Sequence, residues 1–296
     1  MSGRYCAIQV DLDGLWVIEK LSGRSVPLET DPVFYDGTER LLRLFEEFGV
    51  KATFFVVAKD LESGNKLNLV RRIISSGHEI ASHGMSHGYI TMLDDDEARR
   101  EIAGSKEAID NALGLKIAGF KAAGFAARRE VVPFLEEAGY RYDSSVLPTS
   151  LGPVMEAVLK VRYRKWGMAT APRGPYVPAR KDIFRRGESA IVELPVTTMP
   201  LLRFPAHFSY ASAMGLTYAS ITRPHKFSRY VTYLFHPLDL VDRAAMVGGK
   251  VLPKTRISFD GRVALARAML EHFVTGFNIV TSREMAQIVR SKHAAA

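Results

Sequence analysis

The chain has 296 residues, 47% hydrophobic and 24% charged, an ordinary balance for a globular chain with enough sequence for a large core. Its single cysteine, Cys6, excludes an internal disulfide framework and any all-cysteine metal site. No uncharged apolar run reaches the ~20 residues of a membrane span, and MSGRYCAIQVDLDG lacks the apolar core and cleavage site of a signal peptide, so a cytoplasmic location is expected.

In chain order, CAIQVDLD (6–13) reads as a strand and ERLLRLFEEFGV (39–50) as a helix stopped by Gly49. KATFFVVA (51–58) is β-branched and aromatic, hence a strand. LNLVRRIISSG (67–77) reads as a helix, HEIASH (78–83) as a short strand, and DEARREIAGSKEAIDNALG (96–114) as a long amphipathic helix. GFKAAGF (119–125) reads as a strand, REVVPFLEEAGY as a helix and RYDSSVL as a strand. The segment 150–190, with four prolines, reads as an insertion or long loop. IVELPVTT (191–198) reads as a strand and YVTYLFHPLDL (230–240) as a strand ending at His236, followed by the helix GRVALARAMLEHFVTG, the strand FNIVT and a last helix, SREMAQIVR. This alternation predicts an α/β fold, a parallel sheet with helices packed outside it, in one domain over 1–296.

The net charge is +8, and the window Ala157–Gly187 holds nine basic residues against one acid, Asp182, so that window carries all of it. It reads either as a solvated loop or as a patch that meets phosphate, on a substrate or on an anionic membrane surface. Nucleic acid is not expected, because no nucleic-acid motif is present and the patch is local. Residues 200–230 mix Leu, Phe, Met and Tyr with basic residues, the composition either of barrel helices or of a membrane-interface segment.

Three of the eight histidines fall within HEIASHGMSH (78–87). His83 and His87 are four apart, the spacing that puts two ligands on one face of a helical turn. Such a pair is a weak signal without a third ligand. VDLDG supplies one, because Asp11 and Asp13 lie at i and i+2 on one side of a strand, at its C-terminal end. In a parallel barrel such ends converge on the face that carries active sites. The competing reading of the two aspartates is a turn or helix cap. His78 reads as a structural histidine.

VDLDG, KATFFVV, GHEIASHGMSH, GFKAAGF, YRYDSSVLP, ELPVT and LFHP follow one another in an order that resembles the polysaccharide deacetylase family (NodB homology, carbohydrate esterase family 4) over about residues 5–290. The resemblance implies a distorted (β/α) barrel and metal-dependent removal of N-acetyl groups from amino sugars. Asp13, His83 and His87 resemble the family's zinc ligands, with cobalt, nickel or iron also suited to such a set. Asp11 resembles its catalytic base and His236 its catalytic acid. Lys121 stands where the family carries an arginine that orients the base, and Ala123 where it carries proline; a lysine neutralises Asp11 without a planar bidentate pair. The family's tryptophan-containing motif has no clear match, which leaves Asp239 and Glu193 as candidates to orient His236.

The pattern, with HPLDLVD near 236, also resembles the subgroup acting on amino sugars carried on polyprenyl phosphate. On that reading Arg162, Arg164 and Arg173 meet the phosphate, and the protein sits peripherally on the inner face of the cytoplasmic membrane. The alternatives are a deacetylase or deformylase of soluble saccharides or other amides, and a metal-stabilised binding protein without catalysis.

Overall fold

The computed structural model describes residues 3–21, 28–29, 31–151, 167–223, 228–242 and 255–295. The apolar run expected at the start forms β1 (Tyr5–Asp11), buried at every position after Tyr5, as a central parallel strand covered on both faces must be. A seven-residue helix, α1 (Leu15–Leu21), follows. A π-turn at Val33–Gly37 leads into α2 (Thr38–Glu47), which buries Leu41, Leu44 and Phe45, an i, i+3, i+4 stripe. Gly49, at φ +63°, ends the helix and delivers the chain to β2 (Thr53–Val56). Ser63 caps α3 (Gly64–Ser75), and β3 (Glu79–Ser82) follows.

The long helix expected at 96–114 is one rod with a defect. Asp94 and Glu97 form a capping box for α4 (Asp95–Arg99), residues Arg100–Gly104 widen into a π-turn, and α5 (Ser105–Leu113) ends at Gly114 in the left-handed region. Next come β4 (Gly119–Phe120), α6 (Val132–Glu137) and β5 (Tyr142–Asp143). After α7 (Gly167–Thr170), β6 (Pro178–Ala179) and β7 (Asp182–Arg186) pair antiparallel. Then follow β8 (Val192–Glu193), α8 (Phe208–Met214), α9 (Leu216–Ile221), β9 (Tyr230–Phe235), α10 (Phe259–Gly276), β10 (Asn278–Val280) and α11 (Ser282–Ala294).

Three sequence expectations are corrected. GFKAAGF is a strand only at Gly119–Phe120; Ala123–Phe125 is a 3-10 turn in which Gly124 and Phe125 both have φ of +57°. RYDSSVL and IVELPVTT keep two regular ladder residues each; beyond them the pairing is irregular, mixing backbone bonds (Leu194 N to Asp143 O, Val196 N to Val146 O) with side-chain ones, Ser145 Oγ accepting from Ala122 N and Glu193 Oε1 from Val146 N. The 150–190 segment contains the β6–β7 hairpin and α7 where a loop is expected; 152–166 lies outside the described residues.

The large sheet is wholly parallel. β1 pairs along one edge with β9 (Tyr5–Val10), and along the other first with β10 (Tyr5–Ala7) and then with β2 (Gln9–Asp11). From β2 the order runs β3, β4, β5, β8. The sheet curls until Thr197, just past β8, reaches β9: Thr197 N donates to Thr232 O and Thr232 N to Thr197 Oγ1. The expected distorted (β/α) barrel is the fold observed. Its C-terminal strand ends gather Asp11, His83 and His236 on one side of the molecule.

Candidate active site

The corner after β1 is held by a buried ion network. Asp31 accepts Leu15 N on both carboxylate oxygens and Phe34 N on one, and receives Lys66 Nζ at 2.9 Å. Lys66 also reaches Asp60 at 2.6 Å, whose carboxylate takes the Trp16 indole N–H. Gly14 sits against this network: a Cβ there would lie 2.1 Å from Asp31 Oδ2. Asp13, one residue earlier, is therefore presented from a fixed turn.

His83 follows β3, its backbone N–H bonded to Val56 O. Its Nδ1 lies 2.9 Å from Lys121 O, which assigns the proton to Nδ1 and leaves the Nε2 lone pair facing Asp13 Oδ1 at 3.6 Å. His87 Nε2 is 3.5 Å from the same oxygen. The two histidines do not share a helical turn as their spacing suggests. They sit on a loop in which Gly84 has φ +88° and His87 φ +55°. Glu101, on the π-turn, shapes this loop: its Oε1 accepts Ser86 N and Gly88 N, and its Oε2 accepts Ser86 Oγ. The i, i+4 spacing thus brings the rings together, 5.2 Å between centroids, through a loop rather than a helix.

Asp13, His83 and His87 form a cluster whose ligand atoms all lie within 4.8 Å of one another. Asp13 Oδ1 is buried and has no hydrogen-bond donor among the described residues. A buried carboxylate oxygen without a donor, facing two imidazole nitrogens, fits a divalent cation. Burial opposes ionisation of Asp13, but His87 and His83 outweigh it and hold the carboxyl below its usual range.

Asp11 lies beside this cluster. Its Oδ1 accepts Lys121 Nζ at 2.7 Å, while its Oδ2 faces His83 Nε2 at 3.9 Å and His236 Nε2 at 3.8 Å. Lys121 is fully buried, drawn down from the ordinary lysine range by burial with Asp11 opposing. Its Nζ also donates to Gln9 Oε1 and lies over the Phe55 ring. Gln9 is anchored in turn, donating to Ser144 Oγ and Ser282 Oγ. The Lys121 ammonium therefore has a preformed seat.

His236, at the end of β9, is held by a relay. Ser209 Oγ lies 2.9 Å from His236 Nδ1 and 3.0 Å from Asp239 Oδ2. The Asp239 carboxylate is acceptor only, so the serine hydroxyl donates to it and accepts from His236 Nδ1–H. Asp239 Oδ2 also takes the backbone N–H of His236. Burial opposes protonation of His236, yet Asp239 and Asp11 together raise it to about 9. His207 packs near His236, 6.4 Å between centroids; burial pushes it down to about 3, and neither ring nitrogen has a hydrogen bond among the described residues.

Glu193 is elsewhere. It pairs with Asp143 across the β5–β8 ladder and is raised well above the carboxylate range by burial and by that neighbour. Asp239 alone of the two suggested partners approaches His236. Arg173 is exposed, its charge felt at Arg203, and no contact joins it to the cluster among the described residues; Arg162 and Arg164 lie outside those residues. Part of the basic window is already paired, Arg180 with Glu136 and Arg185 with Asp182, which also pairs with Arg129 from outside the window. His78 accepts Ala52 N and packs on Phe54 at the other end of β3, a structural histidine.

Fold and site together define a parallel α/β barrel with a two-histidine, one-carboxylate centre at its C-terminal strand ends. Residues 20–142, which hold His83, His87 and Lys121, match the polysaccharide deacetylase family model. A peptidoglycan-N-acetylglucosamine deacetylase from Bacillus cereus is 32% identical over 77 residues, 26% of this chain and 27% of that one. A chitooligosaccharide deacetylase from Rhizobium leguminosarum bv. trifolii is 37% identical over 75 residues, 25% of this chain and 34% of that one. The chain thus spans about a third or less of these curated relatives. Among solved structures, a Mycobacterium smegmatis protein assigned as a polysaccharide deacetylase superposes with a TM-score of 0.62 at 21% identity, over 99% of this chain and 92% of that one. The PuuE allantoinase does so at 0.59 and 13%, over 97% and 90%. These two likenesses are likenesses of fold.

Proposed function

We propose that the protein is a metal-dependent hydrolase that removes an N-acetyl group from an amino sugar. The observation that carries this reading is the flanking of the Asp13–His83–His87 cluster by a lysine-held carboxylate, Asp11, and a relay-held histidine, His236, both at one carboxylate oxygen's reach. The names of the relatives, deacetylases of N-acetylglucosamine units and of chitooligosaccharides, support the substrate class. Asp13, His83 and His87 would hold a zinc ion, which would supply Lewis acidity and lower the pKa of a water toward ~7. Asp11 Oδ2 takes the proton of the attacking water while Lys121 holds Oδ1. His236 Nε2 then protonates the departing amine as the C–N bond breaks, leaving acetate and the free amino sugar. Its raised pKa keeps that proton available at neutral pH.

The finer reading is a substrate carried on a polyprenyl phosphate, met at the inner face of the cytoplasmic membrane. Thr198 and Pro205 bridge the base of a tight turn whose tip displays Leu201 at 95% and Leu202 at 63% exposure, next to Arg203. Leu216 and Ile221 of α9 are also exposed. This segment, 199–223, also carries Ser209, which meets His236. Leucines with a neighbouring arginine suit a prenyl chain beside its phosphate.

The test is mass spectrometry of a polyprenyl-phosphate N-acetylhexosamine and of a soluble chitooligosaccharide after incubation with zinc-loaded protein, with Asp11→Asn as control. Loss of acetyl from the lipid-linked compound by wild type alone supports the full reading. Equal rates on both substrates, with no sedimentation on anionic vesicles at low salt, overturn the lipid part. No deacetylation of either by metal-loaded protein favours a non-catalytic metal-stabilised protein, the reading to which lysine in place of arginine at 121 lends weight.

A further inference from the structure

The opposite end of the barrel carries a second concave surface. A cleft of about 760 Å³ opens at the N-terminal edges of β4, β5 and β8, remote from the Asp11 and His236 end of the sheet. Five basic side chains line it: Lys106, Lys116, Arg141, Arg283 and Arg290. No acid lines it. The acids that act on these five are Asp110, shared by Lys106 and Lys116, Glu79, which lies 3.5 Å from Arg283 Nε, and Glu136, whose charge reaches Arg290 without forming an ion pair among the described residues.

The two remaining arginines leave guanidinium hydrogens unspent. Arg141 has no side-chain partner among the described residues and is exposed just before β5. Arg290 uses one terminal nitrogen on the carbonyls of Ser189 and Ile191, and has no ion pair among the described residues. The base of the cleft is apolar, from Ile117, Val192 and Ala286. The presenting elements are rigid: Arg283, Ala286 and Arg290 lie on one face of α11, and Arg141 is anchored through its backbone, its N–H on Ala118 O and its carbonyl on Val192 N. Five basic groups against three neighbouring acids leave a net positive cleft, which favours an anion in it.

We propose that this cleft binds a small phosphorylated compound, with Arg141 and Arg290 on the phosphate and the apolar floor under the organic part. Guanidinium groups suit a phosphate because their planar donors pair with two oxygens at once, and the volume falls in the range of small-molecule sites. The inference does not depend on the chemistry proposed at the other end of the barrel. The phosphate monoester is the recognised group; a lipid head such as phosphatidic acid carries the same group.

The experiment is calorimetric titration of full-length protein with inorganic pyrophosphate and with glucose 6-phosphate, alongside co-sedimentation with phosphatidic acid vesicles. Saturable binding of a soluble phosphate compound is expected, weakened at least tenfold in Arg141→Gln, weakened also in Arg290→Gln, and unchanged in His83→Ala. Because Arg141 is exposed and unpaired, its replacement leaves the fold intact, which the melting temperature checks. Absence of saturable binding overturns the proposal, as does binding indifferent to Arg141→Gln or lost in His83→Ala. Binding to vesicles but to neither soluble compound also overturns it, assigning the surface to a membrane.

Discussion

Glu101 is a residue whose removal should act on metal binding without touching a ligand. Its carboxylate takes three hydrogen bonds from the loop that carries His87, two from backbone N–H groups at 2.9 Å and one from Ser86 Oγ at 3.1 Å. Hydrogen bonds to a charged acceptor contribute about 1.5–3 kcal/mol each. Ser86 and Gly88 are half-buried, so water replaces part of that loss. We expect Glu101→Ala to destabilise the fold by about 2–4 kcal/mol. The loop also holds His87 at φ +55°, a conformation that costs a residue with a side chain about 1–3 kcal/mol and persists only under constraint. Once Glu101 is gone, His87 relaxes away from Asp13, and zinc affinity should fall about 10–100-fold, the usual effect of losing a partner that orients a ligand. Competition against a chromophoric chelator reads this directly. Glu101→Gln keeps an acceptor for both N–H groups and should lose less than ~10-fold. Zinc affinity unchanged within threefold in a folded Glu101→Ala protein would refute the role given to this carboxylate.

Three further outcomes follow from the same geometry. The rate should fall as pH rises through about 9, where His236 loses its proton, and Asp239→Asn should move that alkaline limb down by about one pH unit; a limb that stays in place removes Asp239 from the relay. His78, pushed down to about 4 by burial with Lys51 adding to the shift, stays neutral in the folded protein where the unfolded chain takes a proton. Its contribution to stability is present above its ordinary value of ~6.5 and is lost as pH falls toward 4, so the melting temperature of the metal-free protein should drop across that window and drop less in His78→Gln. Gly14→Ala puts a methyl group 2.1 Å from Asp31 Oδ2, and should lower the melting temperature and the zinc affinity together by displacing the buried Asp31–Lys66–Asp60 network; an unaffected melting temperature would show that the corner yields.

The elements most legible in the sequence are those whose pattern is set by burial. YCAIQVD and TFFV are apolar on both faces because helices and barrel interior cover them, and the helices announce themselves through stripes and glycine stops at Gly49 and Gly114. The short strands β4, β5 and β8 are overread because their apolar character continues after the regular ladder ends, where Ser145 and Glu193 side chains join backbone bonds of irregular register. At the site, Asp11, Asp13, His83, His87, Lys121 and His236 are legible from motif and spacing, and the structure brings them together. Glu101, Gln9 and Ser209 are not. Each is a single polar residue in an otherwise ordinary segment, and its partners lie 13 residues or more away in sequence. A glutamine inside a buried strand is the one signal that sequence offered, since a polar group there must find partners. The helical geometry expected for His83 and His87 fails because a glycine in the left-handed region turns the chain at Gly84.

The most direct measurement is acetate release from an N-acetyl amino sugar by zinc-loaded protein, with bound metal determined on the same samples, for wild type, Asp11→Asn and His87→Ala. A deacetylase built as proposed releases acetate only as wild type, keeps its zinc but loses at least 10²-fold in rate as Asp11→Asn, and loses both in His87→Ala. Stoichiometric zinc in wild type with no acetate from lipid-linked or soluble substrates, or equal rates in wild type and Asp11→Asn, would contradict the assignment of Asp11 as base and of the protein as a deacetylase.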